Sequence, residues 1–89
     1  MGKLIKTDGT SIEVSPNNGT DYTLDELQKF VGGLIEVVAA KERGYILIIN
    51  EEGKIEGLPI NWSATDLADI SLWDCIVGDA LYCKDNEVR

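Results

Sequence analysis

Histidine is absent from this chain, and basic residues are scarce: eight Lys and Arg stand against sixteen Asp and Glu, a formal net charge of -8 at pH 7. Without histidine no side chain has an unperturbed pKa near neutrality, so acid–base catalysis would need an unusual base and an enzyme is not expected. The average field repels polyanions, which excludes sequence-independent nucleic-acid binding as the expected role. A local cluster of donors can still override that field for a small anion. Cysteine occurs only at Cys75 and Cys83. Two thiols cannot close a tetrahedral zinc site alone. In one straight strand their separation would span roughly 26 Å at about 3.3 Å per residue, too far for a disulfide. Free thiols in a reducing compartment are expected.

Other absences narrow the chemistry further. The sequence has no Gly-x-Ser-x-Gly elbow, phosphate loop, Cys–His pair or Asp-x-Asp-x-Asp-Gly calcium loop, so no cofactor or metal is expected. Met1-Gly2-Lys3-Leu4-Ile5-Lys6 lacks the long apolar stretch of a signal peptide and the Ser or Thr at position 6 that myristoylation favours. No membrane association is expected, and the expected location is a cytoplasm.

What is present suits one small globular domain over residues 1–89, with 84–89 a flexible polar tail. Apolar residues make up 44% and charged residues 27% of the 89, ordinary values for a chain near the lower size limit of a self-sufficient core. Thr7-Asp8-Gly9-Thr10 between Leu4-Ile5 and Ile12-Glu13-Val14 signals a hairpin. Ser15-Pro16-Asn17-Asn18-Gly19 reads as a loop. Thr23-Leu24-Asp25-Glu26 is a capping box, Leu24, Leu27 and Val31 share a face beside Phe30, and Gly32-Gly33 supplies a C-cap, so a helix is predicted over 23–31. Leu34 to Ala39 and Tyr45 to Asn50 read as a second hairpin. The non-alternating run Ile46-Leu47-Ile48-Ile49 predicts a central strand covered on both faces by the helix, another element or a second subunit. Because one helix and a short second one leave apolar area over, a homo-oligomer is expected.

Ile55 to Ile60 reads as an edge strand interrupted by Pro59, and Ser63-Ala64-Thr65-Asp66 starts a short helix through Leu67 and Ala68. Cys75-Ile76-Val77 and Ala80-Leu81-Tyr82 read as one last strand with Gly78 a bulge. The order β-β-α-β-β-β-(α)-β predicts an α+β fold: an antiparallel sheet of about five to six strands with one main helix on a face.

The segments Leu27 to Val38, Asn50 to Asn61 and Asp74-Cys75-Ile76-Val77-Gly78-Asp79-Ala80 resemble a small family catalogued as domain-of-unknown-function 3846, found in bacteriophages, plasmids and bacteria. The likeness runs in order from Leu24 to Leu81. It carries no settled activity, but implies a mobile-element origin and action in the cytoplasm of a bacterial host. The family often has Arg after the Asn of its Leu-Pro-x-Asn block, where this chain has Trp62, so any role leaning on that Arg is in doubt.

Two constellations carry candidate chemistry. Asn50, Glu51 and Asn61 flank one turn and the segment after it, and a cluster of amides with a carboxylate can hydrogen-bond a ribose or a base. Asn side chains also close turns through local backbone bonds. Trp62 and Tyr45, like Trp73 and Tyr82, offer rings for base stacking, although such rings more often fill cores and interfaces. Glu51 with Glu52, and Asp66 with Asp69, read as a solvated acidic face. The leading expectation is a non-enzymatic protein that sequesters a small nucleotide-type ligand, such as a host immune signal, through Asn50, Glu51, Asn61, Trp62 and Tyr45. The alternative is an acidic inhibitor of a host protein, acting as a DNA mimic if Glu13, Glu36, Glu42, Glu56 and Asp69 line up in one stripe.

Overall fold

The computed structural model describes residues 2–88. β1 (Gly2–Ile5) and β2 (Ser11–Val14) pair antiparallel around Asp8-Gly9. The Asp8 carboxylate accepts the Thr10 N–H at 2.9 Å, and Gly9 takes the left-handed φ of 92° that the turn demands. α1 (Leu24–Val31) starts at the predicted capping box: the Thr23 hydroxyl accepts the Glu26 N–H, and the Glu26 carboxylate accepts the Thr23 N–H at 3.0 Å. Each half satisfies an orphan donor of the first turn, a pairing that stabilises a helix start by about 1 kcal/mol. Gly32 ends α1 with φ 81° and its N–H on the Gln28 carbonyl. β3 (Ile35–Ala39) and β4 (Tyr45–Asn50) form the second hairpin, with Ile35 opposite Asn50 and Ala39 opposite Ile46. α2 (Trp62–Leu67), β5 (Ala80–Lys84) and a single 3-10 turn at Asp85–Glu87 complete the fold.

The strand pairings of the sheet are antiparallel, in the order β2-β1-β5-β4-β3. The last strand therefore lies at the centre of the sheet, and the α+β expectation holds with five strands. On one face α1 and Tyr22 cover Ile48, Leu81 and Cys83. On the other, Ala64 and Ala68 from α2 and the residue after it, with Ile76, cover Ile5, Leu47, Ile49 and Ala80. This two-sided burial explains the unbroken apolar run of β4, at about 1.5–3 kcal/mol per buried Leu or Ile. Both covers come from the same chain, which removes the coverage argument for a second subunit.

Three local expectations are corrected. The edge strand expected over Ile55 to Ile60 does not form, because the turn that begins at Glu51 continues through Gly57. Glu56 N–H donates to Glu52 O, Gly57 N–H to Lys54 O and Leu58 N–H to Gly53 O, and only Ile60 keeps a bridge, to Val77. The turn packs so closely on Val77 that residue 53 has no room for a side chain: a Cβ there would lie 2.9 Å from Val77 Cγ2. Gly78, at φ 78°, turns the chain instead of bulging it, so Cys75 to Val77 lie outside the last strand. Residues 84–88 are not a loose tail: Val88 bridges Tyr22, and the Tyr22 N–H donates to the Glu87 carbonyl at 2.7 Å. Arg89 lies outside the described residues.

Candidate functional site

The five residues singled out from the sequence do not form one cluster. Asn61 is the N-cap of α2 and is 0% exposed. Its oxygen accepts the Ala64 N–H at 3.0 Å, and its amide donates to Ile5 O at 2.9 Å and Gly78 O at 3.0 Å. A buried amide with these bonds made is scaffold, and the ligand-contact role expected for Asn61 is corrected accordingly. The buried Asn50 side chain donates to Val31 O at 3.3 Å and Glu56 Oε1 at 3.0 Å and accepts the Glu52 N–H at 2.8 Å, tying the end of α1 to the turn after β4. Tyr45 stacks on Tyr82, with ring centroids 5.0 Å apart and planes at 13°, and the Tyr82 hydroxyl donates to Glu42 at 2.9 Å. Trp62 stands exposed on the first residue of α2. Only Asn50 and Glu51 share a groove.

That groove, about 320 Å³, runs between β3 and the segment 70–77 and is lined by Glu36, Val38, Glu51, Ile70 and Asp74 among others. Its single cation, Lys54, is held by Asp74 at 2.5 Å. That bond, followed by the Cys75 N–H, keeps the Asp74 carboxyl below the usual carboxylate range. With Lys54 engaged, Glu36 and Glu51 leave the groove acidic, an unfavourable setting for a phosphate.

A second groove, about 500 Å³, lies between the last turn of α1 and the β1–β2 turn and is lined by Lys6, Lys29, Phe30, Leu58, Pro59 and Asp79 among others. Here two lysines meet one aspartate, in a chain that is strongly acidic overall. Asp79 is occupied on both oxygens, by Lys6 Nζ at 3.1 Å and by the Thr7 N–H at 3.2 Å. Phe30 is fixed edge-on to Tyr22, with centroids 5.9 Å apart and planes at 77°. Leu58 can form the opposite wall because residue 78 is glycine; a Cβ there would sit 2.8 Å from Leu58 Cδ1. The groove thus offers an aromatic ring, an apolar wall and the exposed ammonium of Lys29 beside the Lys6–Asp79 ion pair, a combination that suits a small anionic ligand with a planar ring.

Sequence reasoning missed Lys6, Lys29, Phe30 and Asp79 as site residues. Three of them stand within the segments quoted above, as Lys29-Phe30 and Gly78-Asp79, but the Lys6–Asp79 pairing joins positions 73 apart and has no local signal.

Of the two cysteines, Cys75 lines the first groove and Cys83 lines neither. Burial pushes the Cys83 thiol up to about 12, which keeps it protonated and inert, and Cys75 is a free, half-buried thiol. Among the described residues no group of three or more His, Cys, Asp or Glu is placed to hold a metal ion, and no helix is long and apolar enough to cross a membrane.

No curated protein and no solved structure matches the chain. A family model described as Domain of unknown function (DUF3846) matches residues 3–89. With nearly its whole length covered by that model, the chain belongs to the DUF3846 family.

Proposed function

We propose that this protein is a non-enzymatic binder of a small nucleotide-type ligand, held in the groove of Lys6, Lys29 and Phe30, and that it acts by sequestering such a ligand. In a mobile-element setting the ligand would be a host immune signal and the effect would counter bacterial defence. The observation that carries the proposal is the pairing of a fixed ring, Phe30, with Lys29 and Lys6 around an open groove. The ring stacks a base at about 1–3 kcal/mol. Each charged hydrogen bond to a phosphate adds about 1.5–3 kcal/mol. The lack of histidine supports a holding role over a catalytic one.

A DNA-mimic role has less support. Glu13 faces Lys3 across the β1–β2 ladder. Glu36 lies on the opposite edge strand, and Glu56 accepts from Asn50, so these carboxylates do not make an unbroken line.

Calorimetry with mononucleotides, cyclic nucleotides and ADP-ribose tests the proposal. Binding by the natural chain that is lost in Lys29→Glu is the expected result. Lys29 is exposed, so this change leaves the core intact. Absence of heat across the whole panel would overturn the proposal.

A further inference from the structure

The outer edge of β3 is an open template for another strand. Glu51 N–H donates to Leu34 O at 2.8 Å and Ala40 N–H to Tyr45 O at 3.2 Å. These bonds fix the alternation, in which Leu34, Glu36, Val38 and Ala40 bond inward to β4 while Ile35, Val37 and Ala39 aim their backbone groups outward. The Ala39 carbonyl is taken by the Asp69 N–H at 2.8 Å. No such bond covers the N–H and C=O of Ile35 and Val37 among the described residues. Exposed edges of this kind are normally blunted by proline, by a bulge or by a covering segment; here the cover stops at the Ala40–Ala68 bridge.

The surroundings define what would pair there. On the α2 side of the edge lies the acidic groove, where Glu36 and Glu51 make no ion pair among the described residues while Lys54 is engaged by Asp74. On the α1 side Val37 is half exposed. In the loop whose Ile70 and Asp74 form the far wall of the groove, Leu72 and Trp73 are 98% and 96% exposed. A second copy is a poor occupant. An antiparallel β3–β3 pairing centred on Val37 would bring two Glu36 side chains to diagonal positions within about 8 Å, in chains that already repel one another.

We infer that the β3 edge binds an extended, basic segment of a partner protein by strand addition, with Lys or Arg at alternate positions reaching Glu36 and Glu51 and apolar residues between them meeting Val37. The backbone of Ile35 and Val37 supplies the ladder bonds, the carboxylates supply charge selectivity, and Leu72 and Trp73 stand ready as apolar contacts on the flank. This surface is separate from the Lys6–Phe30 groove and does not depend on it.

The probe is a synthetic octapeptide of alternating Lys and Val, with its Glu–Val counterpart as control, and the readout is amide hydrogen exchange followed by NMR. The Lys–Val peptide should slow exchange of the Ile35 and Val37 N–H groups by about tenfold or more, and the Glu–Val peptide should not. Val37→Pro removes one outward N–H at an edge position where proline is tolerated, so the fold should persist and the protection of the remaining Ile35 N–H should vanish. If that variant does not fold, Glu36→Lys serves instead and should weaken binding by about tenfold. Equal binding of both peptides, peptide shifts without protection at Ile35 and Val37, or a dimer by ultracentrifugation in which those amides are already protected would each overturn the inference.

Discussion

The Asn61 side chain donates to the carbonyl of Ile5 at 2.9 Å, joining the start of α2 to β1 across 56 positions of sequence. The same amide holds Gly78 O, so one buried residue fixes the helix, the first strand and the turn that opens the last strand. Asn61→Ala removes the cap and strands two buried carbonyls, at a cost of about 3 kcal/mol or more. Asn61→Asp keeps the acceptor for Ala64 but loses both donations, and should also destabilise strongly. Urea denaturation of both variants checks this. An unchanged midpoint would contradict the scaffold role and reopen the ligand contact expected from sequence.

Gly2 lies against the Tyr22 hydroxyl. A Cβ at residue 2 would sit 2.8 Å from the Tyr22 hydroxyl and 3.1 Å from the Tyr82 carbonyl oxygen, and that hydroxyl donates to Val14 O at 3.1 Å. Gly2→Ala should therefore cost about 1–3 kcal/mol through overpacking. Tyr22→Phe removes the nearest clashing atom, so the double variant should lose less than the sum of the two single changes. Thermal melts of the four proteins measure the coupling.

Stability should fall in alkali. Burial first, then the charge of Glu87, pushes the Cys83 thiol up to about 12. Burial likewise raises the Tyr22 hydroxyl to about 12. Both groups hold their protons more tightly folded than unfolded. Their contribution is therefore whole below about pH 9, the ordinary thiol value, and is lost as pH rises toward about 12. Urea titrations across that window should show the decline, and Cys83→Ala should make it shallower. In the native protein at neutral pH a thiol reagent should modify Cys75 readily and Cys83 only on unfolding.

Much of the fold was legible because its signals are local. The Thr23–Glu26 capping box and Gly32 bound α1, Asp8-Gly9 set the first hairpin, and the solid run Ile46 to Ile49 announced a strand covered on both sides. The misread stretches depend on contacts between distant segments. Gly53 and Gly78 are glycine because Val77 and Leu58 press against them, and a turn imposed by such packing looks like a strand or a bulge in sequence. The site was harder for the same reason. Asn50 and Glu51 were found at the rim of a groove, whereas the cationic groove depends on Lys6 meeting Asp79, and Asn61, polar and beside a turn, is in fact scaffold.

The central proposal is that Lys6, Lys29 and Phe30 bind a nucleotide-type ligand, and NMR titration of the labelled chain with ADP-ribose and with cyclic nucleotides tests it most directly. The predicted result is saturable shifts confined to Lys6, Lys29, Phe30, Gly32, Gly78 and Asp79, absent in the folded Lys29→Glu variant. Saturable shifts centred on Glu36, Glu51 and Asp74, or none with any of these ligands, would contradict it.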